Sequence, residues 1–230
     1  MRLVLLPGMD GTGRLFGPLL AALPPGIDGE PVAYPRDEPL GYEGLLPVVE
    51  AAAVRGGDFV VVGESFSGPL AIMLAARRPP GLRGVVLCAS FIRFPLPVPP
   101  RFRGAVRAWM FRLQPLGLVS LVLLGRRAWG GLGAMLRDAV RSVSPEVLAA
   151  RALAVAGVDV TAELRACPVP VLSLRAAGDL VVRRGCAEAI RAARPATEEV
   201  VLPGPHLVLQ ASPREAAAAL AAFCRHVGER

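Results

Sequence analysis

Short apolar runs alternate with helical patterns along most of this chain of 230 residues. Most of the apolar runs are continuous, which is typical of strands that are buried on both faces of a parallel sheet. We therefore predict an α/β fold with a mostly parallel, twisted sheet of about six strands flanked by helices. The predicted strands are 3–6, 31–34, 59–62, 85–88, 169–174 and 199–202, and the predicted helices are about 14–23, 41–54, 67–77, 159–166, 184–193 and 213–226.

Two helix starts are marked by capping residues. Ser212 precedes Pro213, and a glutamate follows three residues after the serine. A serine N-cap with a proline in the first helical position is a typical helix start, and it predicts the terminal helix. Ser144 before Pro145 predicts another helix by the same reasoning.

The alternation stops between residues 91 and 157. This segment opens with prolines at 95, 97, 99 and 100 and continues with large apolar side chains and scattered arginines. We predict that residues 91–157 form a helical insertion, or lid, between two strands of the sheet. Residues 1–90 and 158–230 are then expected to form the core.

The insertion also carries the basic excess of a protein whose net charge is +7. Its ten arginines are balanced only by Asp138 and Glu146, whereas the rest of the chain has 16 arginines and 17 acidic residues. Three interpretations remain open: a solvated face, a site for a phosphate- or carboxylate-bearing leaving group such as coenzyme A, or peripheral contact with an anionic membrane. A nucleic-acid partner is not expected, because no recognition motif accompanies the charge.

No membrane span or export signal is predicted. The charge-free run 113–125 has 13 residues, whereas a span needs about 20 apolar residues. The first predicted strand begins at residue 3, which leaves no room for a signal peptide. The four cysteines form no CxxC pair and indicate free thiols in a reducing compartment, so a cytoplasmic location is expected.

A serine lies between a predicted buried strand and a predicted helix. The segment VVVGESFSGP at 60–69 resembles the nucleophile elbow of the α/β-hydrolase family, G-x-S-x-G, with Ser65 as the nucleophile. Ser67 stands where that pattern has its second glycine, and Gly68 follows it. A small side chain meets the need, because the helix must lie close to the strand. A register with Ser67 as the nucleophile fits worse, and an ordinary Gly/Ser turn is the alternative without function.

A serine nucleophile needs a base, and the chain contains only two histidines. His226 lies in the last turn of the terminal helix, where it complements the helix dipole. His206 lies in a loop directly after the last predicted strand, and loops at the carboxyl ends of parallel strands are where sites assemble. We therefore predict that His206 is the base.

Asp179 is the candidate for the acid that orients the histidine. It lies in the loop after the fifth predicted strand, between Ser65 and His206 in the chain. The order Ser, Asp, His is that of the α/β-hydrolase family. Some members place the acid after the preceding strand instead, but residues 88–91 here include no acidic side chain. A turn or helix-capping aspartate is the structural alternative.

A glycine-rich loop follows the first predicted strand. The segment LLPGMDGTG at 5–13 resembles the oxyanion loop of the same family, although Pro7-Gly8 replaces the usual His-Gly. The resemblance implies that the backbone N–H groups of Met9 and Phe66 stabilise the oxyanion. The loop fits neither the dinucleotide-binding nor the P-loop glycine spacing, so nucleotide binding is rejected.

The resemblance covers nearly the whole chain and implies the α/β-hydrolase fold without its usual first two strands. It implies a serine hydrolase that cleaves a carboxylic ester or thioester, in which Ser65 attacks, His206 transfers the proton and Asp179 orients the imidazole. No cofactor or metal is expected, and the expected partner is a small-molecule substrate. Two alternatives remain: an acyltransferase that uses the same triad, and a non-catalytic ligand-binding homologue.

Aromatic side chains in the insertion suggest an apolar cavity for a hydrophobic acyl group. Alternatively, they form the core of the insertion itself. The candidates for substrate binding are Phe91, Phe94, Trp109 and Trp129, with Phe102 and Phe111 as further members of the group.

Overall fold

The computed structural model describes residues 1–95 and 104–229, and these residues build one six-stranded sheet. The strands are β1 (Arg2–Leu6), β2 (Asp28–Pro31), β3 (Phe59–Glu64), β4 (Leu82–Cys88), β5 (Val171–Ala176) and β6 (Glu198–Leu202). They lie in the order β2-β1-β3-β4-β5-β6, and every neighbouring pair is parallel. The predicted α/β fold with a parallel sheet of about six strands is confirmed.

Helices connect the strands and cover the sheet. Among the described residues they are α1 (Gly17–Leu20), α2 (Tyr42–Ala53), α3 (Gly68–Ala76), α4 (Ala108–Arg112), α5 (Leu116–Leu124), α6 (Gly131–Arg141), α7 (Pro145–Gly157), α8 (Thr161–Arg165), α9 (Arg184–Ala193), α10 (Val208–Ala211) and α11 (Pro213–Gly228). Short 3-10 turns at Arg14–Phe16, Ser65–Ser67 and Gly125–Trp129 precede α1, α3 and α6.

Both faces of the sheet are buried, as its continuous apolar strands require. On one face α2 and α3 contribute Leu45 and Leu70 to a core that also includes residues of α8 and α9. On the other face α1 and α11 contribute Leu19 and Phe223. Burial of one such side chain stabilises the fold by about 1.5–3 kcal/mol. The loops that follow the strands are therefore fixed at the sheet's carboxyl edge.

The second strand does not lie where the sequence predicted it. The prediction was 31–34, but β2 ends at Pro31. The backbone N–H of Val32 donates to Leu5 O over 2.9 Å, and that of Tyr34 donates to Gly11 O over 2.8 Å. The apolar side chains at 32 and 34 are buried in the core beyond the strand. β2 is an edge strand, so a polar sequence suffices for it, and the apolar run marks the loop instead.

The two serine caps differ from one another. The Ser144 side chain accepts a hydrogen bond from Val147 N over 3.2 Å, as expected for an N-cap. Helix α11 begins at Pro213 as predicted, but the Ser212 side chain makes no cap hydrogen bond. Its hydroxyl donates to Pro203 O instead. The proline therefore predicted the start of α11 correctly, and the capping role of Ser212 was wrong.

Helices α4 to α7 lie between β4 and β5, and the chain leaves and re-enters the core at adjacent points. Arg93 forms an isolated antiparallel bridge with Asp159, and Val160 N donates to Ile92 O over 2.9 Å. Helix α7 packs against α4, and α5 packs against α6. Among the described residues, no helix combines the length and apolar character needed to cross a bilayer.

Candidate active site

Ser65 lies in a strained turn between β3 and α3. Its φ is +49°, a left-handed conformation that L-residues rarely adopt and that is enriched at functional sites. A side chain at Gly63 would collide with the backbone of Ser67, and a side chain at Gly68 would collide with Ser90. The glycines on either side therefore allow α3 to start close to β3, which places the Ser65 hydroxyl beyond the end of the strand.

Three side chains that are far apart in the chain meet at the carboxyl edge of the sheet. His206 Nε2 lies 2.8 Å from Ser65 Oγ, and His206 Nδ1 lies 2.7 Å from Asp179 Oδ2. The three residues follow β3, β5 and β6, and the imidazole and the carboxylate are almost fully buried. With the imidazole proton on Nδ1, Nδ1 donates to Asp179 and Nε2 accepts from the Ser65 hydroxyl. This arrangement can deprotonate the serine.

Backbone groups fix the orientation of Asp179. Its Oδ1 accepts hydrogen bonds from the N–H groups of Val181 and Val182, both over 2.8 Å. Oδ2 is thereby directed at His206. The other histidine, His226, pairs with Glu198 over 3.4 Å. Glu198 is the first residue of β6, so His226 lies at the opposite edge of the sheet from the serine.

The loop after β1 is held by a chain of hydroxyl groups. The Ser67 hydroxyl donates to Pro7 O and lies 2.8 Å from Tyr34 OH. Burial raises the pKa of Tyr34 well above its usual range, so the phenol stays neutral and donates to Ser67. Ser67 therefore does more than replace a glycine by a small side chain: its hydroxyl ties the loop that contains Met9 to the turn that contains Ser65.

Arg151, from helix α7, holds the same loop from the other side. Its side chain is completely buried, and Nη1 donates to Met9 O over 2.8 Å and to Asp10 O over 2.9 Å. Nη2 donates to Pro35 O over 2.8 Å. The guanidinium carbon lies 5.6 Å from the centre of the Tyr34 ring. The backbone N–H of Met9 itself donates to no acceptor among the described residues, so it remains available to a ligand.

The role of Arg151 is not predicted from the sequence. A buried guanidinium that binds three carbonyls depends on long-range packing, and nothing in the sequence distinguishes this arginine from the other 25. One local feature is related to it. Gly11 has a φ of +69°, and a side chain there would collide with the guanidinium. Glycine at position 11 thus meets two needs: the positive φ of the turn and the close approach of the Arg151 guanidinium.

A buried carboxyl group lies beside the serine. Glu64 Oε2 accepts a hydrogen bond from Gln210 Nε2 over 3.2 Å, while Glu64 Oε1 and Gln210 Oε1 have no hydrogen-bond partner among the described residues. Burial raises the pKa of Glu64 to about 8. Glu64 is therefore mostly protonated at neutral pH.

Ser65 and His206 line a cavity of about 170 Å³. Its remaining walls are mostly apolar and include Phe111 from α4 and Val119 and Leu123 from α5. Met9, beside the unpaired N–H, also lines it. An apolar group attached to a carbonyl near Ser65 could occupy this space.

The four aromatic residues predicted to bind substrate do not line this cavity. Phe91 is buried in the core between the sheet and its helices, and Phe94 packs against that core. Trp109 and Trp129 are exposed. The prediction relied on aromatic content, which does not reveal the direction in which a side chain points. Phe102 lies outside the described residues, and Phe111 is the member of the group that reaches the cavity.

No metal cluster is found in the part of the chain that the structure describes. No group of three or more His, Cys, Asp or Glu side chains lies close enough there to hold a metal ion. The four cysteines are free.

Comparisons with known proteins agree with this architecture. A profile described as "Alpha/beta hydrolase family" matches residues 3–220. A search of curated proteins found no match.

Several solved structures are similar over almost the whole chain. An esterase from Exiguobacterium antarcticum has a TM-score of 0.83 at 13% identity, with 98% of this chain and 92% of that chain covered. A thermophilic esterase from Thermogutta terrifontis has a TM-score of 0.78 at 21% identity, covering 99% and 90%. An enol-lactonase from Burkholderia xenovorans LB400 has a TM-score of 0.76 at 19% identity, covering 97% and 91%. At these identities the similarity shows the fold alone.

Proposed function

The chain belongs to the alpha/beta hydrolase family, and on that premise we propose that it is a serine hydrolase that cleaves a carboxylic ester or thioester with a hydrophobic acyl group. The observation that carries the proposal is the continuous series of hydrogen bonds from Asp179 through His206 to Ser65. A serine hydroxyl is a weak nucleophile until an oriented base accepts its proton.

In the proposed reaction Ser65 Oγ attacks the carbonyl carbon while His206 Nε2 accepts the hydroxyl proton. The buried Asp179 carboxylate stabilises the imidazolium that forms and keeps its orientation. The imidazolium then protonates the leaving alcohol or thiol, which leaves an acyl group on Ser65. A water molecule, deprotonated by the same imidazole, releases the carboxylic acid and restores the serine.

The backbone N–H groups of Met9 and Phe66 are the proposed donors to the oxyanion. The unused N–H of Met9 supports this role, and so do the hydrogen bonds from Arg151 to the carbonyls of Met9 and Asp10. Arg151 fixes the two peptide planes that follow Met9, and the hydrogen bond from Gly11 N to Gly8 O over 3.0 Å holds the plane that contains the Met9 N–H. Donors that are oriented before the reaction need no reorganisation when the charge develops, and loss of one costs roughly 3–4 kcal/mol of activation free energy in other hydrolases.

The apolar walls of the cavity support a hydrophobic acyl group, because they offer few polar partners to a charged one. We propose that residues 91–157 act as a lid over this cavity, since α4 and α5 supply its outer wall. A cytoplasmic location is part of the proposal, and the four free thiols support it.

The test is turnover of p-nitrophenyl esters and acyl-coenzyme A thioesters of increasing chain length by the wild type and by Ser65→Ala. We expect the variant to lose almost all activity with every substrate. Ser142→Ala is the matched control, because its hydroxyl bonds Ala139 O at the end of α6 and its side chain does not line the cavity. Persistent turnover by Ser65→Ala would remove Ser65 from the reaction.

A second measurement identifies the nucleophile directly. Labelling with a fluorophosphonate and mapping of the modified peptide should place the label on Ser65. Addition of an alcohol to the assay tests acyl transfer, because an acyltransferase would form a new ester instead of the free acid.

A further inference from the structure

Helix α5 leaves an apolar face exposed. The segment Leu116–Leu124 has the sequence LGLVSLVLL and contains no charged side chain. A helix that is apolar all round is normally buried on every side. Here Val119 and Leu123 face the cavity, whereas Leu118 is 57% exposed and Leu121 is 40% exposed. The side of α5 that carries Leu118 and Leu121 is therefore only partly covered by the described residues.

Further exposed apolar side chains lie before and after α5 in the chain. Trp109 on α4 is 60% exposed, and Leu113 after it is 74% exposed. Trp129, at the end of the turn that follows α5, is 79% exposed. We use the name outer face for the exposed apolar side chains of this stretch, which are Trp109, Leu113, Leu118, Leu121 and Trp129. Exposed apolar groups in such density mark an interaction site.

Arginines lie among these apolar side chains. Residues 104–141 include six arginines and one acidic residue, Asp138. Arg112 is neutralised by Glu146 over 2.6 Å. Arg126 and Arg127 are exposed, directly before Trp129 in sequence. The outer face thus combines exposed leucine and tryptophan with a local excess of positive charge.

We propose that the outer face docks on the surface of an anionic phospholipid membrane. Leucine and tryptophan side chains enter the boundary between headgroups and acyl chains, and arginines bind the phosphates beside them. A second copy of the chain is a poorer occupant, because it would bring the same positive charge to the contact. The helices involved lie flat on the membrane and do not span it.

Docking also indicates the substrate class, and this step rests on the proposed function. The helices that carry the outer face have their opposite sides in the cavity beside Ser65. A docked protein would therefore hold that cavity next to acyl lipid. The substrate class that this arrangement fits is an acyl ester drawn from the membrane.

The docking test is cosedimentation with vesicles of pure phosphatidylcholine and of equimolar phosphatidylcholine and phosphatidylglycerol. We expect binding to the anionic vesicles, weakened by salt, and little binding to the neutral ones. Ser65→Ala should bind as the wild type does. Vesicle binding and ester turnover are thus separate readouts, so failure of the proposed function and failure of docking can be distinguished.

Two variants test the two components of the surface. Arg126→Gln with Arg127→Gln should lower the partition coefficient about 30-fold, as expected for the loss of two interfacial charges. Trp109→Ser with Leu118→Ser and Trp129→Ser should lower it about 100-fold or more. Both variants should retain the wild-type melting temperature, because these side chains are exposed. They should also retain the turnover of a short soluble ester, because none of these side chains lines the cavity.

Matched controls lie elsewhere on the surface. Arg214→Gln with Arg225→Gln removes two exposed charges from α11, and Val54→Ser removes a side chain that is 68% exposed beyond α2. Neither should change vesicle binding.

Equal binding to both vesicle types, or binding that the outer-face variants do not weaken, would overturn the proposal. A second outcome would also overturn it: the wild type does not bind vesicles but forms a dimer in size-exclusion chromatography, and the triple variant is a monomer. The outer face would then be a contact between copies of the chain. The proposal would also be overturned if the wild type bound an acidic protein selectively but did not bind anionic vesicles, because the partner would then be a protein.

Discussion

Arg151 Nη1 donates a hydrogen bond to the carbonyl oxygen of Met9, 2.8 Å away, although 142 positions separate the two residues in the chain. The bond joins helix α7 of the insertion to the loop after β1. The same guanidinium also binds Asp10 O and Pro35 O. Loss of this cation should therefore disturb both the fold and the proposed oxyanion donor at Met9.

We expect Arg151→Lys to lower kcat about 10- to 100-fold with little change in KM, because a single ammonium group cannot reproduce the planar set of donors that orients the loop. Stability should fall as well. The measurement combines ester kinetics with thermal unfolding. Arg194→Lys is the matched control, since Arg194 binds the carbonyls of Cys167 and Val169 over 2.7 and 3.0 Å far from the serine. An equal loss of kcat in both variants would assign Arg151 a purely structural role.

Asp179→Asn should lower kcat about 10⁴-fold while the protein stays folded. The amide cannot accept the Nδ1 proton of His206 as the carboxylate does, so the imidazole loses the tautomer that accepts from Ser65. The remaining oxygen can still accept from the N–H groups of Val181 and Val182. Kinetics and near-UV circular dichroism, measured together, check both parts. Activity within tenfold of the wild type would contradict the role of Asp179.

Glu64 should make the protein less stable as the pH rises. Burial raises its pKa from 4.5 to about 8. Between these values the unfolded chain loses the proton while the folded protein keeps it, so the free energy of unfolding falls with pH, by at most about 1.4 kcal/mol per pH unit. Below this window both states are protonated, and above it both are ionised.

Glu64→Gln removes this contribution. The variant should gain stability over the wild type as the pH rises towards 8, and urea unfolding at several pH values measures it. Glu215→Gln, at an exposed glutamate on α11, is the control and should leave the pH dependence unchanged. A wild-type stability that stays flat across the window would refute the buried, protonated state.

Ser67→Gly restores the glycine of the family pattern, yet we expect it to destabilise the protein by about 1–3 kcal/mol. The substitution leaves Pro7 O and Tyr34 OH without their buried partner, and it adds a flexible residue. Tyr34→Phe keeps the hydrogen bond from Ser67 to Pro7 O. We therefore expect it to lower the free energy of unfolding less than Ser67→Gly does. Thermal unfolding ranks the two variants. A more stable Ser67→Gly would show that the hydroxyl contributes nothing.

The strand pattern and the position of the serine turn could be predicted because each depends on local sequence. Buried strands appear in the sequence as continuous apolar runs, and the carboxyl ends of parallel strands lie at the same edge of the sheet. Ser65, Asp179 and His206 each follow a predicted strand, so their neighbourhood followed from topology. The distances between them did not, because loop geometry decides those.

The direction in which individual side chains point could not be predicted. Trp109 and Phe111 are two residues apart, yet one is exposed and the other lines the cavity. Contacts with neighbouring elements decide which of the two side chains is exposed and which lines the cavity. The edge strand β2 shows the same dependence, since a polar run pairs with β1 while the apolar residues after it pack into the core.

The hydrogen bonds of Arg151 restrict the movement of α7. The guanidinium of Arg151 on that helix donates to three carbonyls of the core. Movement of residues 145–157 away from the core would break these bonds and leave a buried cation without partners. An opening movement of the insertion would therefore have to involve helices upstream of Pro145, and a movement of α5 would also break the hydrogen bond from Leu207 N to Leu123 O. Such a movement would leave the bonds from Arg151 to the loop after β1 intact.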